Sequence, residues 1–360
     1  MTTVSPSESV EALVAGIDAP SPELAAWAAD RQASLTKPRG SFGILEDLSI
    51  QLASITRARQ LQTRPRSLIL AAADHGVTAE GVSAYPREVT AQMVQNFIAG
   101  GAAVNVLGRQ TTTRVVVLDV GVAGPVLAGP SLIARRVRCG TASFVGEPAM
   151  SDDEAVEAIR AGYDTAATEV SAGARVLAVG DMGIGNTTAS SALTAALLDL
   201  PASEVTGRGA GLDSEGLSRK IGVIERGLAR HDPSRLTPLQ ILARLGGLEI
   251  AALVGVILAG TKNRLPVVID GFASGAAALV AARLAPKSLP YLIAAHVSVE
   301  PGHRRILDEL HLRPLLDLEM RLGEGTGALL AMNLLDAAAG VLNEMATFEE
   351  AGVSDRGAID

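Results

Sequence analysis

The chain has 360 residues, with 31 Lys+Arg against 39 Asp+Glu, a net charge of −8 and an apolar share of 48%. Charged residues make up only 19%, which excludes a disordered chain, since disorder needs low hydrophobicity and high charge density. The acidic surplus argues against a nucleic-acid or anionic-membrane binder, both of which need a basic surface, and leaves open a single small anionic ligand.

In chain order, MTTVSPSESVEALV has no basic n-region or apolar h-region and does not read as a signal peptide. From Ser7 to Ile55 the pattern is helical, with Ser21-Pro22 as an N-cap and first-turn pair and Pro38-Arg39-Gly40-Ser41 as a break. Five short apolar runs then alternate with Ala/Leu-rich helical stretches, the pattern of a parallel α/β sheet. They are Leu68–Ala72, Val115–Leu118, Val176–Val179, Val267–Ile269 and Tyr291–Ala295, continuous enough for strands buried on both faces. The lone Cys139 cannot form an internal disulfide and fits a reducing, cytoplasmic setting. Ile250 to Gly260 is too short to cross a bilayer and reads as a buried helix. Gly327 to Phe348 is helical again, and Ser354 to Asp360 reads as a frayed tail. The length suggests two domains. The reading is a small helical one from residues 1–60 plus 328–360, beside a large α/β nucleotide-binding one from 61–327.

Polar and Gly residues follow each strand: Asp74-His75-Gly76, Asp119-Val120-Gly121, Gly180-Asp181-Met182-Gly183, Asp270-Gly271 and His296-Val297-Ser298. Ligands of open parallel sheets bind beyond the carboxyl ends of the strands, so this edge is the candidate site. In GDMGIGNTTASSALTAALL (Gly180–Leu198), Gly183 and Gly185 let backbone N–H groups approach a phosphate. Asn186 and Thr187 then open a helix whose N-terminus favours an anion. The loop is neither a Walker A motif nor a complete dinucleotide fingerprint, although Glu204 lies near the spacing of a ribose-binding acid.

TGRGAGLDSEGLSRK offers a second backbone-donor loop at Gly209-Ala210, then Lys220, either a phosphate ligand or a solvated surface lysine. Glu324, between Gly323 and Gly325 at a helix start, could complement the helix dipole or act as a general base. His296, Glu300 and His303 suggest a metal site, but Pro301-Gly302 breaks a helix that would align them, and no metal is expected. Asp74-His75 has the look of a base and its orienter, yet neighbours on a strand end point different ways.

Several segments together resemble the nicotinate-nucleotide–dimethylbenzimidazole phosphoribosyltransferase family: Ala73–Gln110, GDMGIGNTT, GRGAGLDSEGLSRK, VVIDGF, HVSVEPGH and RLGEGTGA…VLNEMATFEEAGV. The likeness runs from about Lys37 to Val353. It implies a Rossmann-like sheet with a small helical domain from both chain ends, and a homodimer without metal or cofactor. The implied reaction moves the 5-phosphoribosyl group of nicotinate mononucleotide to 5,6-dimethylbenzimidazole or a related base. Its products are nicotinate and α-ribazole 5′-phosphate, for the nucleotide loop of cobalamin.

By resemblance, Glu324 is the general base and Asp181 a second catalytic or ribose-binding acid. Gly183, Gly185, Asn186, Thr187, Gly209, Ala210, Lys220 and Ser298 bind the nucleotide, and Tyr85, Gln92, Met93 and Leu322 wall the base. Two departures stand out. Asp181 replaces the usual Glu, one methylene longer, and Lys37-Pro38-Arg39-Gly40-Ser41-Phe42-Gly43 replaces Lys-Pro-Pro-Gly-Ser-Leu-Gly. Other readings are a dinucleotide-dependent oxidoreductase and a catalytically silent nucleotide-binding homologue.

Overall fold

Runs of Val, Ile, Leu and Ala with no polar alternation can rest only where both faces of a sheet are covered. A computed structural model, describing residues 6–125 and 128–354, places them there. The strands are β1 (Arg66–Ala73), β2 (Arg114–Gly121), β3 (Leu132–Ala134), β4 (Val176–Met182), β5 (Val267–Ile269) and β6 (Leu292–Ala294). They form one parallel sheet in the order β3-β2-β1-β4-β5-β6, the doubly wound order whose chain direction switches between β1 and β4.

Three of the strands extend beyond the apolar runs, one strand is additional and the last one is shorter. β3 is an additional edge strand, three residues long and partly exposed, so it carries no continuous apolar run to announce it. The last strand starts at Leu292, because Pro286 and Pro290 hold Pro286–Tyr291 in a 3-10 turn.

Side-chain alternation along the strands divides the core. Ile69, Ala71, Leu177 and Val179 face one layer with the helices Asp152–Ser171, Asn186–Leu198, Leu248–Lys262 and Phe272–Leu284. Leu68, Leu70, Ala72, Val176 and Ala178 face the other, with Pro22–Ser34, Ile44–Thr56, Val89–Ala99, Ala103–Gln110 and Thr326–Glu344. The chain's ends meet in this second layer: Arg31 donates to the carbonyls of Leu342 and Met345 at 2.6 and 3.3 Å. The first helix, Pro6–Val14, departs from that arrangement, with Val10 packed in the opposite layer against Asp152–Ser171 and Leu248–Lys262. The expected frayed tail from residue 355 onward lies outside the described residues.

The Leu248–Lys262 helix is buried from Leu248 to Thr261. Thr326–Glu344 is, among the described residues, the one helix long and apolar enough to cross a membrane, and most of it lies inside the fold. Beyond β6 the chain runs on through His296 and Val297, where Leu316 joins as a further parallel bridge and exchanges backbone bonds with Ala295 and Val297, each 2.9 Å.

Backbone contact between Asp152–Ser171 and Leu248–Lys262 sets the spacing of the first layer. A Cβ on Gly162 would strike the Ala252 carbonyl, and one on Gly255 would strike that of Ile159. Gly255→Ala is expected to destabilise the protein by about 2 kcal/mol or more in urea unfolding, because forced separation of packed helices outweighs the better helix propensity of Ala. Gly340→Ala, within the Thr326–Glu344 helix and with open space around its Cβ position, should instead gain about 0.5–1 kcal/mol.

Candidate active site

The carboxyl ends of β1 and β4 flank the switch point, and the Gly-rich turn after β4 fits there through close approach. A Cβ on Gly183 would lie 2.5 Å from the Ala73 carbonyl oxygen, and Gly185 adopts φ +97° against Thr78 and His75. Thr90, fully buried at the start of the Val89–Ala99 helix, accepts the Ile184 N–H at 3.1 Å and pins the turn from the other side. The Asn186–Leu198 helix begins immediately after, its Asn186 and Thr188 N–H groups donating to the carbonyls of Gly183 and Gly185, each at 3.0 Å, so that the turn and the helix N-terminus form one unit.

The second Gly-rich loop closes over that helix start. Lys220 is fully buried, which excludes the solvated-lysine reading, and its Nζ donates to Thr187 Oγ1 at 2.8 Å and the Gly207 carbonyl at 3.2 Å. Burial pulls its pKa down to about 8, with the Glu300 carboxylate opposing. Gly209, at φ +53°, approaches so closely that a Cβ would lie 3.0 Å from Thr187 Oγ1 and 3.4 Å from Lys220 Nζ. Ser298, at the far side, accepts the Glu300 N–H at 3.3 Å. Thr187, Gly209, Lys220 and Ser298 are thus drawn into one connected set; Ala210 is exposed next to it.

Glu324 lies on a turn in which Gly323, Glu324 and Gly325 all have positive φ (+83°, +63° and +83°). An L-residue there costs roughly 1–2 kcal/mol, so surrounding contacts must hold it. Its N–H donates to the Asp181 carbonyl at 3.3 Å, and its own carbonyl leaves no room for a Cβ on Gly180. The Glu324 carboxyl is buried, and its Oε2 has no hydrogen-bond partner. Burial raises its pKa, the Val104 backbone N–H opposes, and the Asp270 charge adds to the rise.

Asp181 is also buried, accepting the Asn186 amide at 2.7 Å. Burial first, then the charges of Asp270 and Glu249, push its pKa up to about 8; Asn186 pulls it down, and Glu324 adds to the rise. With its pKa at about 8, Asp181 is mostly protonated at neutral pH, and burial raises the pKa of Asp270 and of Glu324 as well.

The base-wall residues lie outside this buried group. Tyr85 and Leu322 are 52% and 58% exposed, Gln92 is exposed, and Met93 is half-buried against the second core layer. Gln92 and Met93 share their helix with Thr90, and Leu322 directly precedes the Gly323–Gly325 turn.

Comparison with known proteins decides the family. A family model described as phosphoribosyltransferase matches residues 17–353. The nicotinate-nucleotide–dimethylbenzimidazole phosphoribosyltransferase of Chloroflexus aggregans is 56% identical over 327 residues, 91% of this chain and 92% of its own. That of Roseiflexus sp. is 56% identical over 332 residues, 92% and 94% of the two chains. The crystal structure of the Thermus thermophilus enzyme of the same name superimposes with a TM-score of 0.89 at 50% identity, covering 93% of this chain and 99% of its own.

The chain belongs to this phosphoribosyltransferase family.

Several residues that the sequence offers singly at this edge find partners far along the chain. Asp270, at the end of β5, accepts the N–H groups of Gly325 at 3.2 Å and Ala328 at 2.9 Å, capping the helix behind Glu324 from a distant strand. His75 pairs not with its neighbour Asp74 but with Glu249, Nε2 to Oε1 at 2.6 Å, both buried. Asp74 instead accepts the Ala123 N–H at 2.7 Å. Pro301 does not break a helix but begins one, Pro301–Glu309, and His303 Nδ1 accepts the Ser298 N–H at 2.9 Å. Burial, with His296 and Arg304 nearby, drops the His303 pKa to about 3, so this ring is neutral. Among the described residues no group of His, Cys, Asp and Glu is arranged to hold a metal. Glu204 lies on a short helix, exposed, and pairs with Arg305 at 2.9 Å.

Because folding raises the Asp181 pKa from 3.8 to about 8, the native state holds a proton that the unfolded chain releases between those values. This contribution to stability is complete below about pH 4 and declines as pH rises to about 8. Asp181→Asn, which cannot ionise, should therefore gain stability relative to wild type by at least about 1 kcal/mol between pH 5 and pH 8. Urea unfolding of both proteins at those two pH values measures it, and a pH-independent difference would refute the protonated Asp181.

Proposed function

We propose that this phosphoribosyltransferase moves the 5-phosphoribosyl group of nicotinate mononucleotide to 5,6-dimethylbenzimidazole or a related flat base, releasing nicotinate. The geometric observation that carries this reading is Glu324. It is a buried carboxylate with a free Oε2, held in a strained turn beside a loop pair suited to one phosphate. The named relatives, near-complete in coverage, support the same substrates.

The donor's phosphate fits between the start of the Asn186–Leu198 helix, the Gly183–Gly185 turn, Gly209, Lys220 and Ser298. That placement holds C1′ of the ribose over the carboxyl ends of β1 and β4. One benzimidazole nitrogen attacks C1′ from the face opposite nicotinate; the C1′–N bond to nicotinate breaks and its electron pair leaves with the pyridine ring. Positive charge grows on the ribose ring in between, as in other glycosyl transfers. The new bond makes the benzimidazole cationic, and Glu324 takes the proton from its second nitrogen. A raised pKa makes Glu324 a better acceptor, provided it is ionised when the base arrives. Protonated Asp181 anchors Asn186 at the helix start and adds no negative charge next to the phosphate. Tyr85, Gln92, Met93 and Leu322 cover the acceptor, their part exposure being what a second ligand arriving from solvent requires.

Three further assignments belong to the same reading. The helices Pro22–Ser34, Ile44–Thr56 and Thr326–Glu344 act as the small helical unit carrying the Glu324 turn, within the division 1–60 plus 328–360 against 61–327. The exposed Val299 and Leu318 support a homodimer that covers them. A reducing cytoplasm suits the single exposed Cys139.

Incubation with nicotinate mononucleotide and dimethylbenzimidazole should release nicotinate in step with a phosphoribosylated base. No turnover with any benzimidazole, purine or phenolic acceptor would overturn the assignment. Glu324→Gln should lower kcat by about 10²-fold or more, with donor affinity nearly unchanged. Near-normal turnover would remove Glu324 as the base.

A further inference from the structure

Glu300 occupies the N-cap position of the Pro301–Glu309 helix, yet its side chain does not cap it. The carboxylate turns away and reaches the other Gly-rich loop, 91 residues distant, where Oε1 accepts the Gly209 N–H at 2.9 Å. It packs so tightly on Gly207 that a Cβ there would strike it, and only 5% of the residue is exposed. Oε2 has no partner. Its own N–H goes to Ser298 Oγ, and the carbonyl of Gly207, the residue it covers, accepts from Lys220 Nζ. One residue therefore ties together Gly207, Gly209 and Ser298, while its charge acts on Lys220.

A buried carboxylate with one oxygen unsatisfied is costly, and next to an anion site it is doubly so. A stability role alone would be served by any side chain capping the helix it begins. The placement is explained if the loop needs a fixed acceptor. Gly207, Gly209 and Gly211 give the segment wide backbone freedom, Gly209 and Gly211 having positive φ. Without an anchor, the donor's phosphate would have to order the loop on binding and lose affinity accordingly.

We propose that Glu300 is a positioning residue. By accepting the Gly209 N–H it holds the Gly207–Gly211 loop closed around Lys220, and so sets the affinity for the phosphoryl end of the donor nucleotide. The inference rests on the phosphoribosyl-transfer reading of this site. It makes reach the property that matters, with charge secondary.

Two substitutions separate these. Glu300→Asp keeps the charge but falls one methylene short of Gly209; Glu300→Gln keeps the reach and an accepting oxygen without the charge. Calorimetry with nicotinate mononucleotide and with ribose 5-phosphate should show about 10-fold weaker binding for Glu300→Asp. Glu300→Gln should stay within about 3-fold of wild type. Amide hydrogen exchange of residues 206–212 should speed up in Glu300→Asp and remain slow in Glu300→Gln. In turnover, Glu300→Asp should raise KM for the donor while leaving KM for the base and kcat nearly unchanged, a split that general loosening of the fold would not give.

Weakening by Glu300→Gln equal to or greater than that by Glu300→Asp would overturn the proposal, because reach would then not be the property that matters. Wild-type binding or wild-type loop exchange in Glu300→Asp would overturn it outright. If wild type and variants bind ribose 5-phosphate in the expected order but no protein binds nicotinate mononucleotide, the donor assignment fails and the role of Glu300 stands.

Discussion

The meeting of the Gly323–Gly325 turn with the sheet governs the rest of the site. The turn can lie flat on β4 only because Gly180 has no Cβ to meet the Glu324 carbonyl, and on β1 only because Gly325 has none to meet Leu68. Asp270 then completes the fastening from β5, taking two N–H groups at the start of the Thr326–Glu344 helix. Three strands thus fix one residue in a backbone conformation that it would not adopt alone. The same helix carries the contacts that bring the N-terminal helices to the C-terminal segment, through Arg31 to Leu342 and Leu61 to Asn343. The apolar second layer and the position of Glu324 are one arrangement: burying Leu329, Met332 and Leu335 in that layer fixes the helix that follows the Glu324 turn.

That arrangement concentrates carboxyls on one side of the site and donors on the other. Asp181, Glu249, Asp270 and Glu324 cluster near the ends of β4 and β5, whereas the phosphate side holds Lys220, a helix N-terminus and two Gly-rich loops. The division suits a reaction whose donor has an anionic end and whose reacting carbon becomes cationic. Glu300 is the exception, a carboxylate on the anion side, and its bond to Gly209 gives it a task there. An acidic chain can hold a phosphate in this way because a few buried donors act at short range in a weakly screened interior. The chain's formal surplus of eight negative charges acts mostly from exposed groups, whose fields salt screens over about 10 Å.

The sheet was legible because two-sided burial leaves an unbroken apolar run, and five of the six strands begin or end within a few residues of those runs. β3 was not, since a three-residue edge strand needs no such run. The glycine loops and Glu324 could be read as segments because their neighbours in sequence are their neighbours in space. What escaped is pairing over long sequence separations: Glu249 and Thr90 were not singled out, and Asp270 and Glu300 were named without their partners, Glu249 bonding to His75, Asp270 to Gly325, Glu300 to Gly209 and Thr90 to Ile184. Periodicity and spacing report on local geometry only. Pro301 illustrates the ambiguity from the other direction. Proline is compatible both with breaking a helix and with its first position, and here it takes the first position.

Asp181 shows how a shorter side chain can be accommodated. Where the resemblance implies a Glu, the shorter Asp side chain lies close to its own strand end, beside Gly323 and within 2.7 Å of the Asn186 amide. From there its nearest reacting neighbour is the Glu324 turn, through backbone contact. Kept neutral by burial and by the surrounding carboxylates, it can hold the first residue of the Asn186–Leu198 helix without offsetting that helix's attraction for phosphate. An ionised acid at the same point would compete with the donor's phosphate for Asn186 and the nearby N–H groups, so the burial that suppresses its charge is also what makes it compatible with the ligand.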